Sequence, residues 1–269
     1  MSNKHSAFVG SIPENYDRYL GPCLFEPYAA DIVERVKVRG GGAVLETACG
    51  TGIVTRRLRN KLPASVRLVA TDLNEAMLAY AADKLGNDGA VEWKQADATA
   101  LPFDDGSFDA VVCQFGLMFV PDKLAAVHEA HRVLVPNGLF VFNVWDSIDK
   151  NELVDVANQT ASTFFEKEPP TFYQVPFGMH DQNLVRTLLR DAGFKDPQIY
   201  ELAMTGESPS SMDAARGLME GNPILIEINQ RATADLQTVE AAVAKAIASR
   251  CGDNPVRANL RAFVCTTRS

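Results

Sequence analysis

The sequence predicts an α/β protein: a doubly wound, mostly parallel sheet carrying a helical cap. Three observations predict it. From residue 43 onward, short β-branched runs alternate with helical patterns. Runs such as AVVCQ (110–114) and LFVFNVW (139–145) are apolar on both faces, as expected of central strands covered by helices on each side. Strand and helix in strict turn require right-handed crossovers, and such a sheet presents its ligand site at the carboxyl ends of the strands.

Residues 13–37 carry four aromatics, three of them ahead of a helix expected to begin near Pro27, a favourable first helical position. Strands are then predicted at Ala43–Thr47, Arg67–Thr71, Ala90–Gln95, Ala110–Gln114 and Leu139–Trp145, with helices near Thr51–Lys61, Glu75–Leu85 and Lys123–Val133. The punctuation agrees: Asp104-Asp105-Gly106-Ser107 turns into the fourth strand and Pro136-Asn137-Gly138 into the fifth. Beyond Asp146 a helix and a Pro- and aromatic-rich loop are expected to run to Pro176. A helix Asp181–Ala192 then stops at Gly193, and a sixth strand follows at Gln198–Met204. Residues 205–255 read as mostly helical, with Leu236, Val239, Val243 and Ile247 on one stripe, before a closing strand Leu260–Thr267. This gives one domain: an N-terminal cover (1–40), a ligand-binding core (41–146), cap segments (147–180 and 205–257) and sheet completion (181–204 and 258–269).

Composition narrows the function. Twenty-six Lys and Arg face 34 Asp and Glu, a net charge of -8 that disfavours phosphate backbones and anionic membranes as partners. Five cysteines without a CxxC pair argue against a disulfide scaffold or zinc ribbon and for a reducing, cytoplasmic setting. The first residues show no apolar run behind a basic start, and no stretch approaches the length of a membrane span.

The chemistry concentrates at three strand ends. In Val44-Leu45-Glu46-Thr47-Ala48-Cys49-Gly50-Thr51-Gly52, a strand meets a tight Gly-x-Gly turn and then a helix N-terminus, whose free N–H groups suit an anionic group of a ligand. Asp72 ends the second strand, 20 positions after Gly52, where a carboxylate can accept from a ribose diol. Asp97 follows the third strand, where it can accept from an exocyclic amine. A dinucleotide-dependent oxidoreductase would want a third glycine where Thr55 stands, and Glu46 would repel a pyrophosphate. A net cationic ligand tolerates that acidity, which favours S-adenosylmethionine (SAM). A module that binds SAM without turning it over is the other alternative.

These motifs resemble those of class I SAM-dependent methyltransferases, in the small-molecule group that includes ubiquinone/menaquinone-biosynthesis-type enzymes. The matches are VLETACGTG, ATDLNEAML, QADATALPF, FDAVVCQFGLMFV and HRVLVPNGLFVFNVW, in order over residues 43–145, with Ala48 where glycine is common. The resemblance implies a Rossmann-like sheet of seven strands, the last antiparallel. It implies that Glu46, Thr47, Ala48, Gly50 and Gly52 cradle the methionine part of SAM, Asp72 the ribose and Asp97 the adenine. Leu73, Met77 and Ala98 would wall the adenine, while Gln114 and Phe115 would lie beside the methionine moiety. Segment 205–255 is longer than the family's usual connection.

Transfer of a methyl group from a sulfonium needs alignment in a dry pocket more than it needs a base. The place of an Asn-Pro-Pro-Tyr run or a Pro-Cys nucleophile holds Cys113-Gln114-Phe115-Gly116, which demotes nucleobase and amide acceptors in favour of a small, partly apolar molecule. Tyr16, Arg18 and Tyr19 are candidates to cover the cofactor, with Arg18 pairing its carboxylate. Phe164, Phe165, Phe172, Tyr173, Phe177 and Met179 are candidates for an apolar lid, and His180 for a base. His128 and His131 share a helix face but lack a third metal ligand nearby, so no metal site is expected.

Overall fold

The computed structural model describes residues 8, 10–86 and 89–269. The start of the predicted N-terminal cover, residues 1–7 and 9, therefore lies outside the described residues. The chain divides into two units, one comprising Ala29–Trp145, Met179–Leu202 and Ala262–Ser269, the other Met1–Tyr28, Asp146–Gly178 and Ala203–Arg261.

The sheet has seven strands: β1 (Ala43–Thr47), β2 (Arg67–Asp72), β3 (Glu92–Gln95), β4 (Phe108–Gln114), β5 (Leu134–Trp145), β6 (Lys195–Ser208) and β7 (Val256–Arg268). Their order is β3-β2-β1-β4-β5-β7-β6. The first five pair in parallel, as the sequence predicts, and β7 runs antiparallel to β5, as the resemblance implies. Order reverses beside β1, so the crevice of this sheet opens at the carboxyl ends of β1 and β4. Val44, Leu45, Val111, Val112, Val141 and Phe142 are buried, which explains why these strands read as continuous apolar runs.

Helices α3 (Ile53–Lys61), α4 (Glu75–Leu85), α5 (Lys123–Val133) and α7 (Gln182–Asp191) belong to this first unit. Asn74, Asp122 and Asp181 cap α4, α5 and α7 by accepting main-chain N–H bonds in their first turns. The second unit carries α1 (Ile12–Asn15), α6 (Glu152–Ser162), α8 (Ser211–Glu220), α9 (Ile224–Arg231) and α10 (Leu236–Cys251). Val239, Val243 and Ile247 of the predicted stripe are buried on α10.

Several boundaries differ from expectation. The N-terminal helical run starts at Ile12, well before Pro27, and passes through wide π-type turns at Tyr16–Phe25, with Pro22 inside, before α2 (Glu26–Arg35). Pro22 lacks an amide hydrogen, so the regular helical ladder is broken there. Helix α3 starts at Ile53 rather than Thr51, because Thr51 and Gly52 still belong to the turn. β3 begins two residues late, and β4 two residues early at Phe108. The Pro136-Asn137-Gly138 turn does not precede β5 but bulges within it: partners shift between Phe108 and Ala110, and Asn137 takes φ +65°. Both late strands extend beyond the predicted spans.

Candidate active site at the strand ends

Loop β1–α3 is built from three left-handed residues in five: Ala48 (φ +52°), Gly50 (φ +55°) and Gly52 (φ +80°). The two glycines serve different ends. A Cβ on Gly50 would meet nothing within 4 Å, so that side of the turn is open. A Cβ on Gly52 would press on Ala81 and Leu85 of α4 at 3.1 Å, so Gly52 is needed for helix packing. Thr51, between them, is 2% exposed, and its hydroxyl has no hydrogen-bond partner among the described residues. A buried hydroxyl left unpaired in a turn demands a polar partner.

Asp72 stitches the strand ends together. Its Oδ2 accepts the Gly50 N–H at 2.8 Å and its Oδ1 the Asn74 N–H at 2.8 Å. The Cys49 N–H reaches the Thr71 carbonyl (2.9 Å), and the Ala96 N–H reaches the Asp72 carbonyl (3.1 Å). Loops after β1, β2 and β3 are therefore neighbours, as the predicted site requires. Desolvation raises the Asp72 carboxyl, against the pull of the Asn74, Gly50 and Leu73 amides. Asp97 is exposed, and its Oδ1 accepts both the Thr99 amide and hydroxyl at 2.8 Å, an Asx-type turn that fixes the carboxylate. Leu73 is 58% exposed at the same edge, Met77 is buried and Ala98 half-buried.

Glu46 lies inside, 1% exposed, with the Thr55 hydroxyl donating to its Oε2 at 2.6 Å. Thr47 beside it is also buried. Burial pushes the Glu46 carboxyl up to about 8; the Thr55 bond opposes that shift, and the neighbouring Asp72 adds to it. Thr55, which breaks the dinucleotide pattern, is thus the group that satisfies the buried acid.

The loop after β4 is clamped from β5. Phe115 adopts φ +49°, a conformation that costs an aromatic residue about 1–3 kcal/mol. Its N–H donates to Asn143 Oδ1 (2.9 Å) and to the Asn143 carbonyl (3.2 Å), and its ring stacks on Trp145 with centroids 3.9 Å apart. Asn143 is fully buried, and its Nδ2 lies 3.5 Å from Gln114 Oε1. At Gly116 a Cβ would lie 2.4 Å from the Ala48 Cβ, so only glycine lets the β4 loop close on the β1 loop.

Arg18 and Tyr19 belong to the helical unit, where the Arg18 guanidinium sits 5.2 Å from the Tyr19 ring; Tyr16 stacks on Phe25 at 4.7 Å. In that unit Phe172, Tyr173 and Phe177 are buried, and the Tyr173 hydroxyl donates to the Leu218 carbonyl. His180 is exposed just ahead of the Asp181 cap. His131 packs edge-on against Phe194 at 4.8 Å.

Sequence reasoning missed Thr51, Asn143 and Trp145. For Asn143 a signal existed: it is the polar residue inside the otherwise apolar LFVFNVW.

The residues present fit SAM. An open glycine face, an orphaned hydroxyl and acids that enter no ion pair among the described residues suit a net cationic ligand carrying both a carboxylate and a diol. Comparison with known proteins agrees. A methyltransferase domain family model matches residues 45–142. The ubiquinone/menaquinone biosynthesis C-methyltransferase UbiE of Escherichia coli is 32% identical over 181 residues, 61% of this chain and 71% of that one. Among solved structures, Bacillus subtilis YcgJ superposes with a TM-score of 0.58 at 18% identity, covering 90% of this chain and 97% of its own. Haemonchus contortus phosphoethanolamine N-methyltransferase 2, crystallised with SAM, superposes with a TM-score of 0.63 at 13% identity, covering 100% of this chain and 60% of its own. Fold and site together define a SAM-dependent methyltransferase. The chain belongs to the methyltransferase family that includes UbiE.

Proposed function

We propose that the protein transfers the methyl group of SAM to a small, partly apolar molecule by in-line displacement. The observation that carries this reading is the turn in which Gly50 leaves open space, Thr51 lacks a partner and Asp72 fixes the geometry. Bound SAM supplies a methyl group already activated by the sulfonium. In this reading Glu46, Thr47, Ala48, Gly50 and Gly52 surround the methionine end, and Thr51 adds its hydroxyl. Asp72 takes the ribose diol and Asp97 the adenine amine, with Leu73, Met77 and Ala98 along the ring. Gln114 and Phe115 border the methyl side, held by Asn143. His180 is the candidate base for an acceptor that must lose a proton.

The E. coli relative, named for C-methylation in ubiquinone and menaquinone biosynthesis, supports a partly apolar acceptor. The net charge of -8 weighs against nucleic acid. No helix among the described residues is long and apolar enough to cross a membrane. Free cysteines support a reducing, cytoplasmic setting. The test is transfer of isotopically labelled methyl from SAM to a panel of quinols, phenols and amines. Label in an organic extract is expected; label confined to macromolecules or to strongly charged acceptors would refute the apolar assignment.

A further inference from the structure

We propose that SAM binding is coupled to release of a proton from Glu46, held as the carboxylic acid in the free protein and as the carboxylate in the complex. This rests on the SAM reading above and assigns a task to the acid at the end of β1.

Groups from α3, β2, β4 and the turn surround Glu46. From α3 comes Thr55, itself fully buried, donating to Oε2 at 2.6 Å. From β2 come Thr71, whose hydroxyl donates to the Glu46 carbonyl at 3.0 Å, and the Asp72 carboxyl. The turn contributes the Cys49 thiol and β4 the Cys113 thiol, both buried. The charged group acting on Glu46 is therefore another acid, and none of the ion pairs among the described residues involves Glu46. A carboxylate buried beside an acid without a counter-ion is strongly disfavoured, so the group keeps its proton. The upward shift to about 8 agrees. With Oε2 accepting from Thr55, the proton resides on Oε1.

SAM carries a sulfonium and an ammonium against one carboxylate. Placed in the turn above Glu46, it supplies the positive charge that the site lacks. The O–H bond of Glu46 then breaks, the electron pair stays on the carboxylate and the proton passes to solvent. Thr55 continues to donate, now to a carboxylate, and that bond strengthens.

Calorimetric titration of SAM in buffers of different ionisation enthalpy counts the protons released. The wild type is expected to release about one proton more per SAM than Glu46→Gln at pH 7, a difference falling toward zero by about pH 9.5, where free Glu46 is already ionised. Glu46→Gln is expected to retain only the contribution of the ligand's own ammonium. No release from the wild type at pH 7, or equal release in the two proteins, would overturn the proposal. Should Glu46→Gln fail to fold, the wild-type series decides alone: release that stays constant from pH 6 to 9.5 also overturns it. Absence of SAM binding in every buffer would be a different result, refuting the SAM reading itself.

Discussion

A valine at position 50 would place its Cβ where no atom lies within 4 Å, whereas an alanine at 116 would drive its Cβ to 2.4 Å from that of Ala48. The two substitutions should therefore behave differently. Gly50→Val carries a left-handed backbone penalty of about 1–2 kcal/mol but should fold, and it should lose SAM binding, because its side chain fills the open side of the turn. Gly116→Ala should cost about 1–3 kcal/mol of stability through overpacking, measured by urea unfolding. Asp72→Ala removes a carboxylate that already holds the Gly50 and Asn74 amides, so it should weaken SAM binding by about 1–3 kcal/mol, read by calorimetry. Unchanged affinity would contradict the role given to Asp72. At this scale the sequence showed the acids and glycines plainly. The left-handed Phe115 and the unpaired Thr51 hydroxyl depend on backbone angles and packing that no residue type announces.

Among the elements, the central strands were legible because burial on both faces leaves an unbroken apolar run, and α4, α5 and α7 because each begins at an Asx cap. β6 was recognised only at its centre. Its flanks, Lys195-Asp196-Pro197 and Thr205-Gly206-Glu207-Ser208, have turn-like composition, and strand pairing overrides it. The π-type turns at Tyr16–Phe25 carry no periodic signature of their own beyond Pro22. Within the helical unit, Glu227 of α9 is 6% exposed; it accepts the Thr171 and Phe172 amides and pairs with Arg231 at 2.6 Å. It thereby anchors the aromatic loop that the sequence marked as a lid. Glu227→Ala should destabilise this unit by about 3 kcal/mol, since Arg231 and two amides lose their partner. Limited proteolysis near Thr171 should accelerate in the variant, and an unchanged cleavage rate would show that the loop is held by something else.

For the whole molecule, pH is the informative variable. Glu240 on α10, 7% exposed, faces Glu220 on α8, which also accepts the Asn15 side-chain amide at 3.2 Å. Burial and the paired acid raise the Glu240 carboxyl from 4.5 to about 7, with Arg216 opposing. Because the folded value lies above the unfolded one, its stabilising contribution is fully present below about pH 4.5 and is lost as pH rises through about 7. Glu46 acts in the same sense, its contribution being lost progressively between about pH 4.5 and 8. Thermal unfolding should therefore show lower stability at pH 8.5 than at pH 5.5, and Glu240→Gln should flatten part of that slope. A melting temperature that rises over this interval would contradict the assignment of both acids. The most direct test of the central claim is calorimetric titration of SAM into the wild type and into Gly50→Val, with NAD as the competing ligand. Saturable SAM binding by the wild type, none by the variant, and no heat from NAD is the expected result. Wild-type affinity for SAM in Gly50→Val, or NAD binding in place of SAM, would contradict it.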